Sequence, residues 1–118
     1  MKYLLMIYAN EAAMQATPKE QIEQQMGAYT AYTDALVKAG VMVGGERLKP
    51  SQTATTVRAR NGKTEVLDGP YADTKEQLGG YYMIDVPDID AALSWAARCP
   101  GASTGTVEIR PVWPFESP

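Results

Sequence analysis

The chain opens on an almost unbroken apolar run. Residues 2–9 read KYLLMIYA, with leucine, methionine, isoleucine and tyrosine following one another and no polar residue between them. Strict alternation marks a strand with one wet face. A continuous run marks a strand covered on both faces, and therefore a central one. The period then changes. In ATPKEQIEQQMGAYTAYTDALVKAG, Ile22, Met26, Tyr29, Thr33, Leu36 and Val37 recur at steps of three and four, which predicts a helix. Thr17 is expected as its N-cap, Pro18 at the first helical position, and Glu20 as the far half of a capping box. Gly40 is expected just past the C-terminus.

VMVGGERL, residues 41–48, predicts a short strand softened by glycine. TATTVRAR and KTEVLDG then flank Asn61-Gly62. That dipeptide between two β-rich runs signals a hairpin, because its turn needs positive φ at both residues. QLGGYYMIDV predicts the next strand. Asp88 is placed to cap a second helix, with Asp90 favoured by the helix dipole. This helix runs through IDAALSWAARC and stops at Cys99-Pro100-Gly101. GTVEIRPVW is the last strand.

The order is β-α-β, hairpin, β-α-β. Two right-handed crossovers onto one open antiparallel sheet satisfy it. The expected fold class is α+β, a ferredoxin-like βαββαβ unit with an inserted β-hairpin, in a single domain spanning 1–118. Both helices then lie on one face of the sheet and the other face is bare. The first strand, however, is apolar on both sides. A second copy of the chain is the simplest cover, so a homodimer is expected.

Charge narrows the function. The net charge is −3 over 118 residues. The longest basic cluster, Arg58, Arg60 and Lys63, is too thin for a nucleic-acid stripe or a membrane anchor. No stretch approaches the roughly 20 apolar residues of a bilayer span. Polar Asn10 and Glu11 follow the opening run where a secretory signal needs a small-residue cleavage site, so a cytoplasmic location is expected. There is no histidine and one cysteine, which excludes an internal disulfide and makes a transition-metal site unexpected. No cofactor is implied. Cys99 ends a helix, where the dipole disfavours a thiolate, and is read as packing. Gly62-Lys63-Thr64 looks like the tail of a phosphate-binding loop, but Val57 stands where the loop needs glycine and a strand follows where it needs a helix.

DGPYADTKEQLGGYYMIDVPDIDAALSWAARCP, residues 68–100, together with VEIRPVW, GGERLKPSQTATTVR and the opening MKYLLMIY, resembles the DGPF-motif branch of the YCII-related domain family. The resemblance runs over nearly the whole chain. It implies a dimeric α+β barrel, in which two ferredoxin-like sheets face each other. It also implies a possible regulatory partner protein, since members often sit beside extracytoplasmic-function sigma factors. Other YCII-related proteins are proposed to use a His-Asp pair in a cleft. This chain has no histidine, so that pair is impossible here. It also has Tyr71 where the motif has phenylalanine and Asp73 where glutamate is usual.

Two groups of residues can carry chemistry. Asp68-Gly69-Pro70-Tyr71 is a turn by composition, and Asp73-Thr74-Lys75-Glu76 reads as a capping box for one helical turn. Gly79-Gly80 permits close backbone approach. In a dimer the same segment places Asp68, Tyr71, Asp73 and Lys75 at the rim of a cleft on the seam. In the last strand, Val107 and Ile109 share one face and Glu108 and Arg110 the other. Glu108 and Arg110 either pair with each other or, through the Arg110 guanidinium, receive an anion. Tyr8 and Tyr81 can line the same space. Alternation puts Tyr81, Met83 and Asp85 on the bare face and Tyr82, Ile84 and Val86 under the helices.

Two functions of different kinds fit these residues. One is a homodimer that binds a small acidic or aromatic molecule, a carboxylate or a phenol, or that regulates a partner protein. The other is a small lyase, isomerase or cofactor-free oxygenase acting at the cleft. Its base would be Asp68, Asp73 or Glu108 with a raised pKa, and its oxyanion would be stabilised by Arg110 or a tyrosine hydroxyl.

Overall fold

The computed structural model describes residues 1–115. The opening apolar run forms β1 (Lys2–Ala9), and the chain then makes a short helix, α1 (Glu11–Gln15). The Asn10 side chain caps α1 by accepting the Ala13 N–H at 2.9 Å. The long helix α2 (Lys19–Lys38) leads to β2 (Met42–Arg47). A 3-10 turn (Ser51–Thr53) precedes the hairpin of β3 (Thr55–Arg60) and β4 (Lys63–Asp68). β5 (Gln77–Asp85), α3 (Ile89–Arg98), the single turn α4 (Gly101–Thr104) and β6 (Thr106–Pro111) complete the described chain.

Four strands form one sheet in the order β2-β5-β1-β6, every neighbouring pair antiparallel. This is the ferredoxin-like order, with β1 central as its apolar run requires. The core lies on one face. Tyr3, Leu5 and Ile7 of β1 and Ile84 of β5 meet Tyr32 and Leu36 of α2 and Ala92 and Ala96 of α3. Tyr82, Val107 and Ile109 pack against this core, as strand alternation places them. Asp88 caps α3 by accepting the Ala91 N–H at 2.9 Å.

Four local expectations need correction. Thr17 does not cap α2; its hydroxyl donates to the Ala13 carbonyl at 2.8 Å and closes α1, so α2 begins after Pro18 without a side-chain cap. The capping box with Glu20 is absent for the same reason. Asp73 and Thr74 are irregular and Lys75 and Glu76 form a bend, with no helical turn; the Thr74 hydroxyl donates forward to the Glu76 carbonyl at 2.6 Å. The buried line of α2 runs through Tyr32 and Leu36, while Met26 and Val37 are 52% and 59% exposed. Only the C-terminal half of α2 is seated on the sheet.

The opposite face of the sheet is uncovered. Register aligns Glu46, Tyr81, Met6 and Glu108 in one row across the four strands, and Gly44, Met83, Leu4 and Arg110 in the next. The hairpin stays apart as a two-stranded sheet of its own. Asn61 and Gly62 turn it with φ of 52° and 75°, the positive values expected. The molecule is a slab of 47 × 46 × 19 Å. It exposes 8552 Å², whereas a compact monomer of 12.8 kDa exposes about 6,300 Å².

Candidate functional site

Two glycines open a cavity on the helix side of the sheet. Gly45 lies opposite Tyr82, and Gly80 opposite both Ile7 and Arg47, so neither strand fills the layer at these points. A Cβ on Gly45 would come within 2.8 Å of the Tyr81 carbonyl oxygen, and one on Gly80 within 2.9 Å of the Glu46 carbonyl oxygen. Both β2–β5 crossings therefore need glycine. Above them the N-terminal half of α2 stands off the sheet. The resulting cavity has a volume of about 490 Å³ and is walled by Ile22, Met26, Met42, Tyr29, Thr33 and Tyr82, with Asp34 and Arg47 also bordering it. A second cavity of about 620 Å³ lies toward α1 and α4 and shares Ile7, Ala9, Met14, Gln25 and Tyr29 with the first. The two hollows thus meet beneath the same half-helix.

Tyr29 and Tyr82 contribute polar atoms to the first cavity beside Thr33, Gln25, Asp34, Glu46 and Arg47, and Tyr32 stands behind them in the core. The Tyr82 and Thr33 hydroxyls are hydrogen bonded at 2.8 Å. The Tyr32 hydroxyl donates to the Trp95 carbonyl at 2.7 Å, and its ring meets those of Tyr82 and Trp95 edge to face. The Tyr29 hydroxyl reaches the Cys99 thiol over Gly101, where a Cβ would lie 2.6 Å from the phenol oxygen. Burial, and after it the Cys99 thiol, pushes the Tyr29 and Tyr32 phenols well above their ordinary pKa. Burial also raises Tyr82 against the lowering effect of its bond from Thr33, and raises Cys99 against the Gly101 N–H. At neutral pH these groups are hydrogen-bonding phenols and a thiol. They are equipped to bind a ligand and not to take its proton.

These phenols carry a pH prediction. The folded chain holds their protons above about pH 10, where tyrosines of the unfolded chain ionise. Their stabilisation is intact below that pH and is lost as pH rises through it. The urea midpoint is expected to hold up to about pH 8, to begin falling by about pH 9.5 as the unfolded chain ionises the Cys99 thiol, and to fall further by about pH 11 as it ionises the tyrosines. A midpoint unchanged to that pH would refute the burial of these hydroxyls.

The residues singled out in the sequence fall in two places. Glu108 and Arg110 form an ion pair at 3.0 Å on the uncovered face, with side chains 42% and 71% exposed. Tyr81 stands one strand away from Met6, and Tyr8 bends its hydroxyl toward the Met6 sulfur at 3.9 Å. Asp68 ends β4, Tyr71, Asp73 and Lys75 follow on the connection to β5, and all four are exposed. There the Arg58 guanidinium lies 4.9 Å over the Tyr71 ring. Of the eight, Tyr81 alone borders the first cavity. Tyr29, Thr33, Gly45 and Gly80 were not anticipated at a site. Among the described residues, no three histidine, cysteine, aspartate or glutamate side chains gather as metal ligands. No helix among them is long and apolar enough to cross a membrane.

The model of the YCII-related domain matches residues 1–116. The chain belongs to the YCII-related domain family. It is 40% identical over 114 residues to a Rhizobium meliloti (strain 1021) protein, "Uncharacterized protein R00369", covering 95% of this chain and 92% of that one. Among solved structures it resembles 5-chloro-2-hydroxyhydroquinone dehydrochlorinase (TftG) from Burkholderia phenoliruptrix AC1100, in complex with 2,5-dihydroxybenzoquinone. The TM-score is 0.57 at 15% identity, over 98% of this chain and 97% of that one. At that identity the likeness establishes the shared fold.

Proposed function

We propose that this YCII-related protein is a cytoplasmic homodimer that binds a small aromatic molecule bearing a phenol or carboxylate, in the cavity beneath α2. The observation that carries this proposal is the cavity itself, about 490 Å³ with methionine and isoleucine walls and a hydrogen-bonded Tyr82–Thr33 pair. Pockets of roughly 300–1,000 Å³ with apolar walls and few polar groups suit such ligands. TftG, of the same fold, holds 2,5-dihydroxybenzoquinone, a flat hydroxylated ring that is a quinone and so differs from a phenol in its electrons more than in its shape. Ligand binding is put ahead of catalysis because the Tyr29 and Tyr82 phenols are held protonated, which leaves only Asp34 and Glu46 at the cavity as bases for a catalytic reading.

The homodimer is supported by surface area. The chain exposes 8552 Å², roughly 2,000 Å² more than a compact monomer of its mass. An obligate dimer buries about 1,000–2,500 Å² on each partner. Two uncovered sheet faces turned toward each other, as in a dimeric α+β barrel, would bury Leu4, Met6 and Met83. The same packing would enclose Glu108, Arg110, Tyr8 and Tyr81 and bring Asp68, Tyr71, Asp73 and Lys75 to the seam.

Thermal unfolding in the presence of salicylate, catechol and 2,5-dihydroxybenzoquinone tests the ligand. At a hundredfold excess over Kd, binding is expected to add about 2.7 kcal/mol and raise Tm by about 10 °C. Met26→Trp, which places a large ring in the cavity, is expected to abolish the shift while leaving the unliganded Tm within a few degrees. If no compound at millimolar concentration moves Tm, the cavity is not the site. If a compound binds and is consumed, the protein is a lyase or isomerase of that ring instead.

A further inference from the structure

We infer that the β3–β4 hairpin is an arm that clasps a second copy of this chain. The inference rests on the homodimer proposed above and assigns the element that fastens it.

The arm is built to project. β3 and β4 pack on each other and hardly at all on any other element. Their base is nonetheless firmly held. The Gly69 N–H donates to the Ala54 carbonyl at 2.7 Å, and the Thr56 hydroxyl donates to the Gly69 carbonyl at 2.8 Å. The 3-10 turn before it is tied to α1, because the Glu11 carboxylate accepts both the Ser51 N–H at 2.7 Å and the Ser51 hydroxyl at 2.6 Å. A six-residue strand spans about 20 Å, and the sheet's own strands about 25 Å. The slab measures 47 × 46 Å in its plane and only 19 Å through, too thin for an arm of that length to stand upright on it, so the arm adds to its breadth.

One of its faces does not suit water. Val57 and Val66 face each other across the ribbon and are 61% and 64% exposed, and Leu67 on the opposite face is 64% exposed. A two-stranded ribbon alone is at best marginally stable. Val57, Val66 and Ala59 make one face apolar, whereas Leu67 shares the other with Arg58, Glu65, Arg60 and Lys63, so the ribbon is suited to lay its valine face on another surface. The second copy supplies that surface. The arm carries Arg58, Arg60 and Lys63 against Glu65 and Asp68, a positive excess on a chain whose net charge is −3, so it meets an acidic body when it crosses to a partner. A two-fold axis lets each arm reach the other body in one self-complementary contact. The surplus surface noted above is of the size one partner gives up in an obligate dimer.

The test uses sedimentation and hydrogen exchange on the full chain. Val57→Lys combined with Val66→Lys is expected to raise the dimer dissociation constant at least tenfold and leave the circular dichroism of the body unchanged, since both positions are already exposed. Met83→Lys, on the uncovered sheet face, reports the homodimer separately. In the unmodified protein, amides of residues 55–68 are expected to exchange slowly when dimeric and much faster on dilution. If the arm variant dimerises normally while Met83→Lys does not, the arm is no clasp and the sheet-to-sheet dimer stands. Fast exchange of residues 55–68 in an intact dimer would likewise overturn the clasp and leave the arm open to a different protein. An unmodified chain that is monomeric at every concentration ends both proposals.

Discussion

Leu36→Ala is expected to lower the unfolding free energy by about 3 kcal/mol, within the range for leucine truncation in a closed core. Leu36 is fully buried, as are Leu5 and Ile84 in the same core. It sits in the one half of α2 that touches the sheet. A domain of this size has roughly 5–15 kcal/mol in all, so the loss would be a large fraction. Urea unfolding with an unchanged m-value measures it. Met26→Ala, in the same helix but beside the cavity, is expected to shift stability by less than about 1 kcal/mol. Equal losses at the two positions would contradict the lifted N-terminal half and the cavity that depends on it.

Gly105→Ala is expected to destabilise by about 3 kcal/mol or more, at the upper end of overpacking effects. An added Cβ would overlap the Tyr8 carbonyl oxygen and lie 3.2 Å from its carbon and 3.3 Å from the Ala9 Cα. All three atoms are backbone, so no flexible side chain can yield. The strain would fall where β6 begins to pair with β1, at Tyr8 and Thr106. Gly27→Ala is the control. Nothing lies within 4 Å of its added Cβ, and alanine in a helix interior is favoured over glycine by about 1 kcal/mol. Unfolding curves of the two variants should therefore move in opposite directions.

Particular residues show why the architecture was legible and the cavity was not. Alternation in YYMID and VEIR assigns each side chain to a face from the strand's own period, and the core contains Ile84 with Val107 and Ile109 packed on it. Asn61-Gly62 announces its turn through backbone geometry alone. These signals are local. The cavity arises from missing side chains at Gly45 and Gly80, and only inter-strand register shows that both lie under α2. Register is itself shifted by irregularities at Ile7/Tyr8 and Met42/Gly44, which no single strand reveals. α1 is illegible in the sequence because five residues give too little period. Its Asn10 cap is nonetheless the same chemistry that announced α3 through Asp88. The three-and-four spacing of α2 marked a helix correctly, but could not say which half would be seated.

The place of β1 has a consequence for synthesis. The ribosome releases this strand well before its two hydrogen-bonding neighbours, β5 and β6, which both lie more than sixty residues later. Until Pro111 has cleared the exit tunnel, a nascent chain holds its most apolar strand with at least one ladder edge open. Such an edge is a template for wrong pairing. A stalled or prematurely terminated product should thus be a preferred chaperone client, whereas release of β5 and then β6 closes the two edges in turn.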